Sequence, residues 1–242
     1  MQQIELELAG GGVLTVSLRA SLDAMPAVKQ RPLVLVVPGG GYNHVSPREG
    51  DPVALQFAAA GYHTAVLTYS VGEGAQNYQP LRQLNEALAL LRQNAGEWHI
   101  LPDKIAVCGF SAGGHLALSG AVLDIPGETA QQRPNAVILG YPVITAGEFA
   151  HRGSFVQLAG SEDAAAQQAF TLEDKTVPVE NTLLLLAALR RAGVPCEAHL
   201  FEKGAHGTSI STAEVDAADP HRAHWVALCL EWLGETFGFK LS

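Results

Sequence analysis

The sequence predicts an α/β fold, a mostly parallel central sheet with helices on both faces, on three observations. Short continuous apolar runs rich in β-branched residues recur along the chain, amphipathic stretches alternate with them, and the opening segment is of a different kind. That opening, "IELELAGGGVLTVSLRA", alternates apolar and polar residues on either side of a Gly-rich turn. Ile4 to Leu8 and Val13 to Leu18 therefore read as an antiparallel hairpin at a sheet edge, where one face meets water. The next apolar runs, "PLVLVVPG", "HTAVLTYSV", "KIAVCGFS" and "NAVILGYPV", are continuous, as strands buried on both faces should be. A further segment, "PCEAHLF", reads as a late strand.

The helices follow from spacing and end signals. Leu81, Leu84, Leu88 and Leu91 form a single stripe that can pack on the sheet. "ENTLLLLAALRRAG" is a second helix, with Arg190 and Arg191 in its last turn and Gly193 and Pro195 as stop signals. Asp219 and Pro220 look like a cap and first-turn residue, followed by Trp225, Leu228, Trp232 and Leu233 on one face. All these stripes are expected to be core. No internal repeat, low-complexity tract or linker divides the chain. With 242 residues it is read as one domain, 1–242, which at this size buries roughly 70–75% of the surface its unfolded chain exposes.

Composition excludes several function classes. The chain is 48% hydrophobic and 16% charged, with neither an 18-residue apolar run nor a basic start leading into an apolar stretch. A soluble, cytoplasmic protein with no membrane partner is expected. A net charge of −9, without any basic patch, argues against nucleic acid. Cys108, Cys196 and Cys229 are odd in number and sit in apolar segments, which fits reduced core thiols. No H-E-x-x-H string or Cys/His spacing suggests a metal.

Chemistry concentrates in "VCGFSAGGHLAL". A serine hydroxyl is a poor nucleophile until a base takes its proton and a sharp strand-to-helix turn lifts its oxygen clear of the backbone. Such a turn brings backbone so close that side chains two residues either side would collide, hence Gly109 and Gly113 around Ser111. A G-x-S-x-G string is weak alone, so its context matters. "VVPGGGYNH" also follows a strand, and backbone N–H groups of a Gly-rich loop can point at a developing oxyanion. Gly40 and Gly41, with Ala112, are the expected donors. A phosphate cradle is disfavoured because neither G-x-x-x-x-G-K-[ST] nor G-x-G-x-x-G is present.

His206, in the Gly-flanked "FEKGAHGTS", is the candidate base, lying after the serine as elbow enzymes require. His115, His199, His221 and His224 lie in helices or a strand and suit the role less. An acid must hold the imidazole tautomer, and Asp174 in "LEDKTVPVEN" falls between serine and histidine; Glu173, Glu180 and Asp163 are its rivals. Tyr42, Tyr69 and His44 could border the site, though packing is the expected role of each.

Together these segments resemble the α/β-hydrolase superfamily, within its acetyl-esterase, lipase- or esterase-like branch, related to xylan and feruloyl acetyl esterases. The matching stretches run from residue 32 to 210. The resemblance implies a Ser111, Asp174, His206 triad and hydrolysis of carboxylic esters through an acyl-enzyme, with no cofactor. It implies a small-molecule ester as substrate, with acetyl groups on sugars or small alcohols foremost. A peptidase of the same fold and a catalytically dead binding module are the alternatives, and a homodimer is compatible with the sequence. No long lid for lipid is expected, since Thr145 to Phe170 is modest and polar.

One departure stands out. Relatives carry an apolar strand immediately before the acid, whereas Gln167 to Glu173 here is "QQAFTLE", too short and too polar for a central strand. Three outcomes are expected: "SFVQLAG" is drafted in as a replacement, the last strand slides inward, or the sheet closes imperfectly. Each displaces Asp174, which makes the acid the least secure member of the triad and predicts impaired activity.

Overall fold

The computed structural model describes residues 1–20, 28–125, 127, 129, 132–160 and 176–241. Asp174, its rivals Asp163 and Glu173, and the shortened "QQAFTLE" lie outside the described residues.

The opening hairpin forms as its alternation predicts. Strands β1 (Gln2–Glu7) and β2 (Val13–Leu18) pair antiparallel, with Ile4 opposite Val16. In β2, Leu14, Val16 and Leu18 point into the core while their neighbours are half-buried. The hairpin turn is tied down by Gln83, a buried side chain whose Nε2 donates to Ala9 O and Ser70 Oγ while its Oε1 accepts the Ser70 amide.

The apolar runs become β3 (Arg31–Val37), β4 (His63–Thr68), β5 (Ile100–Phe110) and β6 (Ala136–Gly140). The sheet order is β1-β2-β4-β3-β5-β6, with β3, β4, β5 and β6 mutually parallel and β2 antiparallel to β4. Every residue of β3 is buried, so its continuous apolar pattern reports a strand covered on both faces. Leu33, Leu35 and Val37 serve one core layer with Leu81, Leu84, Leu88 and Leu91, and Val34 and Val36 serve the other with Phe57 and Phe237.

Helices cover both faces. On one side lie α1 (Asp51–Ala59) and the terminal α6 (Pro220–Phe237); on the other lie α2 (Gln79–Gln93) and α3 (Ala112–Val122). Leu84, Leu88 and Leu91 of α2 are fully buried, and each contributes ~1.5–3 kcal/mol by leaving water. Helix α6 starts as its sequence signals predict: the Asp219 carboxylate accepts the amides of His221 and Arg222, and Pro220 opens the first turn. None of these helices is long and apolar enough to cross a membrane, among the described residues.

Chain order around the sheet makes a crevice. From β3 the chain crosses to β4 on one side, then returns through α2 to β5 on the other. The loops leaving β3 and β5 therefore diverge, and ligands bind at such switch points, at the carboxyl ends of the strands.

The later part departs from expectation. "SFVQLAG" is not drafted into the sheet: it forms helix α4 (Arg152–Ala159), closed by Gly160 in a left-handed conformation. "PCEAHLF" forms no strand, residues 194–201 have no regular structure, and every residue from Arg191 to Leu200 is exposed. Among the described residues the sheet ends at β6, all five of whose residues are only half-buried. A strand needs a neighbour to take its backbone hydrogen bonds, and a segment with none stays solvated. Helix α5 (Glu180–Ala192) forms and ends at Gly193 as predicted, but its leucines are not core: Leu183 and Leu184 are 48% and 47% exposed. Cys108 is buried as expected, Cys229 partly so, but Cys196 is exposed, because it lies in the segment that pairs with no strand among the described residues.

Candidate active site

Ser111 sits at the turn from β5 into α3 with φ 51° and ψ −118°, a region that side chains adopt only under strain. Backbone bonds hold it there: its amide donates to Gly140 O at 2.9 Å, and its carbonyl accepts the Val143 amide at 3.1 Å. The flanking glycines are required by close approach. A Cβ on Gly109 would run into the carbonyl of Gly113, and one on Gly113 into the carbonyls of Val37 and Pro38 at the end of β3.

The loop after β3 folds over the serine. Gly40 has φ +124°, and a Cβ there would meet the His44 backbone. Its carbonyl accepts the amides of Asn43 and His44, which curls the loop into a tight turn. Among the described residues, the amides of Gly40, Gly41 and Ala112 donate to no protein acceptor. Gly40 and Gly41 line the same cavity as Ser111 and His206, whereas Ala112 is fully buried beneath it.

His206 reaches this point from a loop 95 residues further along the chain: its Nε2 lies 2.8 Å from Ser111 Oγ. The loop is firmly held. Ser209 donates its amide to Tyr141 Oη at 2.9 Å and its hydroxyl to the Arg48 carbonyl, and its own carbonyl accepts from Trp225 Nε1 at 3.0 Å. The Tyr141 ring meets the His206 ring edge-on, with centroids 4.8 Å apart. Of the residues singled out in the sequence, the structure therefore brings together Ser111, His206, Gly40 and Gly41 with Ala112 behind them, while Asp174 lies outside the described residues.

Among the other candidates, Tyr42 and Tyr69 are core residues and His44 lines the cavity. Tyr69 donates to Pro38 O at 2.7 Å, fixing the start of the Gly-rich loop. His115 packs, with Nδ1 2.8 Å from Tyr42 Oη, and burial lowers its pKa to about 4, so the ring is neutral near pH 7. His199, expected in a strand, is exposed and pairs with Glu197 instead.

Two residues at the site escaped the sequence reading. Glu49, in a short 3₁₀ turn (Pro47–Glu49), is only 3% exposed. Its Oε2 accepts the Gly39 amide at 2.8 Å and its Oε1 accepts the Tyr141 hydroxyl at 2.6 Å. In "SPREGDP" two carboxylates, Glu49 and Asp51, stand among Pro, Arg and Gly and read as solvated loop charges, so nothing local marks Glu49. Tyr141 carried a usable signal, its place one residue beyond the carboxyl end of a parallel strand.

The cavity between these loops measures about 580 Å³. Asn43, Arg48, His151, Gln157 and Thr176 contribute polar groups, and no Leu, Ile, Val, Met, Phe, Tyr or Trp side chain lines it among the described residues. His151 Nδ1, at the start of α4, lies 2.8 Å from Ser154 Oγ. No cluster of three or more His, Cys, Asp or Glu suited to a metal occurs among the described residues.

Comparison with known proteins agrees with this architecture. The family model described as BD-FAE matches residues 24–126. The solved α/β hydrolase enzyme from a Medee basin deep-sea metagenome library is 35% identical, superposes with a TM-score of 0.81, and the match covers 98% of both chains. The acetyl ester-xyloside bifunctional hydrolase of Caldicellulosiruptor lactoaceticus is 32% identical with a TM-score of 0.79, over 95% of this chain and 89% of that one. Endo-1,4-beta-xylanase B of Butyrivibrio fibrisolvens is 32% identical over 218 residues, 76% of this chain; the chain spans 34% of the length of that relative. On the serine elbow, the sheet order and these matches, the chain belongs to the α/β-hydrolase superfamily, in its esterase/lipase-like branch.

Proposed function

We propose that the chain is a serine carboxylesterase that removes short acyl groups, acetyl foremost, from sugars or other hydroxyl-rich alcohols. The observation that carries this reading is the 2.8 Å approach of His206 Nε2 to Ser111 Oγ in a cavity bordered by the Gly40 and Gly41 amides. Ser111 Oγ attacks the ester carbonyl carbon as its proton passes to His206 Nε2. The carbonyl oxygen becomes an oxyanion, which the amides of Gly40, Gly41 and Ala112 stabilise; one such donor is typically worth about 3–4 kcal/mol. Collapse of the tetrahedral intermediate breaks the bond to the alcohol oxygen, which takes the proton from His206 and departs. Water then attacks the acyl-serine by the same route, releasing the acid. Asp174 is the acid assigned to orient the imidazole and stabilise the imidazolium.

The substrate class rests on the lining of the cavity. Side chains such as Asn43, Gln157 and Thr176 offer hydrogen bonds to an alcohol rich in hydroxyls, and among the described residues no large aliphatic side chain offers a long acyl chain a surface. The name of the Caldicellulosiruptor relative, an acetyl ester-xyloside hydrolase, supports the same direction.

The test is turnover of p-nitrophenyl acetate, p-nitrophenyl octanoate and an aminoacyl anilide by the wild type and Ser111→Ala. Acetate hydrolysis faster than octanoate, falling about 10⁴-fold or more in the variant, is expected. Anilide turnover instead would indicate a peptidase. Silence on all three, with no labelling by a serine-directed phosphonate, would indicate a binding module.

A further inference from the structure

We propose that the Glu49 carboxylate and the Tyr141 hydroxyl form a buried relay that sets the histidine loop against the oxyanion loop, making both positioning residues for the reaction. The inference rests on the serine-hydrolase reading above. The relay converges on Glu49 from both ends: Ser209 N–H donates to Tyr141 Oη at 2.9 Å, Tyr141 Oη–H donates to Glu49 Oε1 at 2.6 Å, and Gly39 N–H donates to Glu49 Oε2 at 2.8 Å. Its two ends lie in separate loops. Gly39 immediately precedes Gly40, and Ser209 lies three residues beyond His206. No other carboxylate lines the cavity among the described residues, and this one is turned inward.

The chemistry requires a carboxylate at this point. Tyr141 already accepts from Ser209, so its proton faces Glu49, and the Gly39 amide can only donate. Two donors therefore converge on the Glu49 side chain, and only a group with two acceptor oxygens satisfies both. An amide would turn an N–H toward one of them. Burial first, and the nearby Glu49 charge second, push the Tyr141 phenol well above its ordinary pKa, so its proton stays in place to be donated. The same Tyr141 carries its ring against His206 and packs its other contacts on Phe110, one residue before the serine. Oxyanion loop, nucleophile strand and base loop thus share one fixed point, and misplacement by about 1 Å in such an arrangement can cost on the order of 10²-fold in rate.

The experiment is steady-state hydrolysis of p-nitrophenyl acetate by wild type, Glu49→Gln, Tyr141→Phe and the double variant, with thermal unfolding and phosphonate labelling rates measured alongside. Each single change is expected to lower kcat and the labelling rate roughly 10–100-fold with KM within about 3-fold, and the double variant to be no worse than the poorer single one. That non-additivity is the signature of one relay. Folded variants with wild-type kcat, effects that multiply, or a change confined to KM would each overturn the proposal. Should Glu49→Gln fail to fold, Tyr141→Phe, which keeps the ring and removes only the hydroxyl, decides the matter by the same kcat criterion. A wild type inert toward ester and phosphonate would instead sink the parent reading, an outcome distinct from any of these.

Discussion

The leucines of α2 and those of α5 have similar sequence patterns and opposite fates. Both helices carry leucine-rich stretches and both form where the sequence places them. In α2, Leu84, Leu88 and Leu91 are fully buried on β3 and β5; in α5, the only buried residue is Asn181. The difference lies in what faces each helix. The front half of the molecule offers a sheet of five strands with β3 covered on both faces, whereas beyond β6 no further strand occurs among the described residues. An apolar stripe creates a demand for cover, and only a neighbouring layer satisfies it.

What holds α5 is polar. Asn181 is fully buried and uses its whole hydrogen-bonding capacity: Oδ1 accepts the amides of Ile144 and Thr145, and Nδ2 donates to Phe149 O and Pro178 O. A single amide thus pins the start of the helix to the chain leaving β6. The front half is stabilised mainly by apolar area, the later part by specific bonds at a few points.

This contrast can be broken by mutation, and the largest effect should come from the front. Leu88→Ala should lower unfolding free energy by ~2–5 kcal/mol, as removal of a fully buried leucine does; urea denaturation measures it. Asn181→Ala should cost ~1–3 kcal/mol by leaving buried amides and carbonyls without partners, and limited proteolysis should then cut first around α5. Acid should act on the front half through histidines that burial keeps neutral. His63 and His115 both have pKa values lowered to about 4, in each case chiefly by burial. Their unfolded values lie near 6.5, so below that pH the unfolded chain binds more protons, and stability falls as pH drops from about 6.5 toward 4. The slope approaches roughly 1.4 kcal/mol per pH unit for each histidine; thermal midpoints across this range should decline, and less steeply in His115→Gln. Leu184→Ala, at the exposed face of α5, should shift stability by no more than about 0.5 kcal/mol. A loss as large as that of Leu88→Ala would mean that α5 is covered in solution and would erase the contrast.

The site divides in a similar way. Ser111, Gly109 and Gly113 were legible because a strand-turn-helix with two close backbone approaches restricts residue choice locally. Gly40 and Gly41 were legible for the same reason, as a glycine run at a strand end. Glu49 was not, and Tyr141 was marked only by its place at a strand end, because their shared role resides in each other: they are 92 residues apart and meet only when β3 and β6 take their places in the sheet. The expectation that "PCEAHLF" would pair failed on the same ground, since alternation shows what a segment could do and not whether a partner awaits it.

By itself, then, the sequence determined the α/β class, the hairpin, the four parallel strands, the capped helices and the serine elbow, all features that leave a local pattern of periodicity, caps or glycine spacing in the chain. The tertiary structure alone decided the 2.8 Å geometry by which the expected base, His206, meets Ser111, that Glu49 is buried in service of two loops, and that Leu183 and Leu184 of α5 stay exposed. The physical reason is that burial and hydrogen-bond partnership belong to pairs of surfaces, and a linear pattern specifies only one member of each pair.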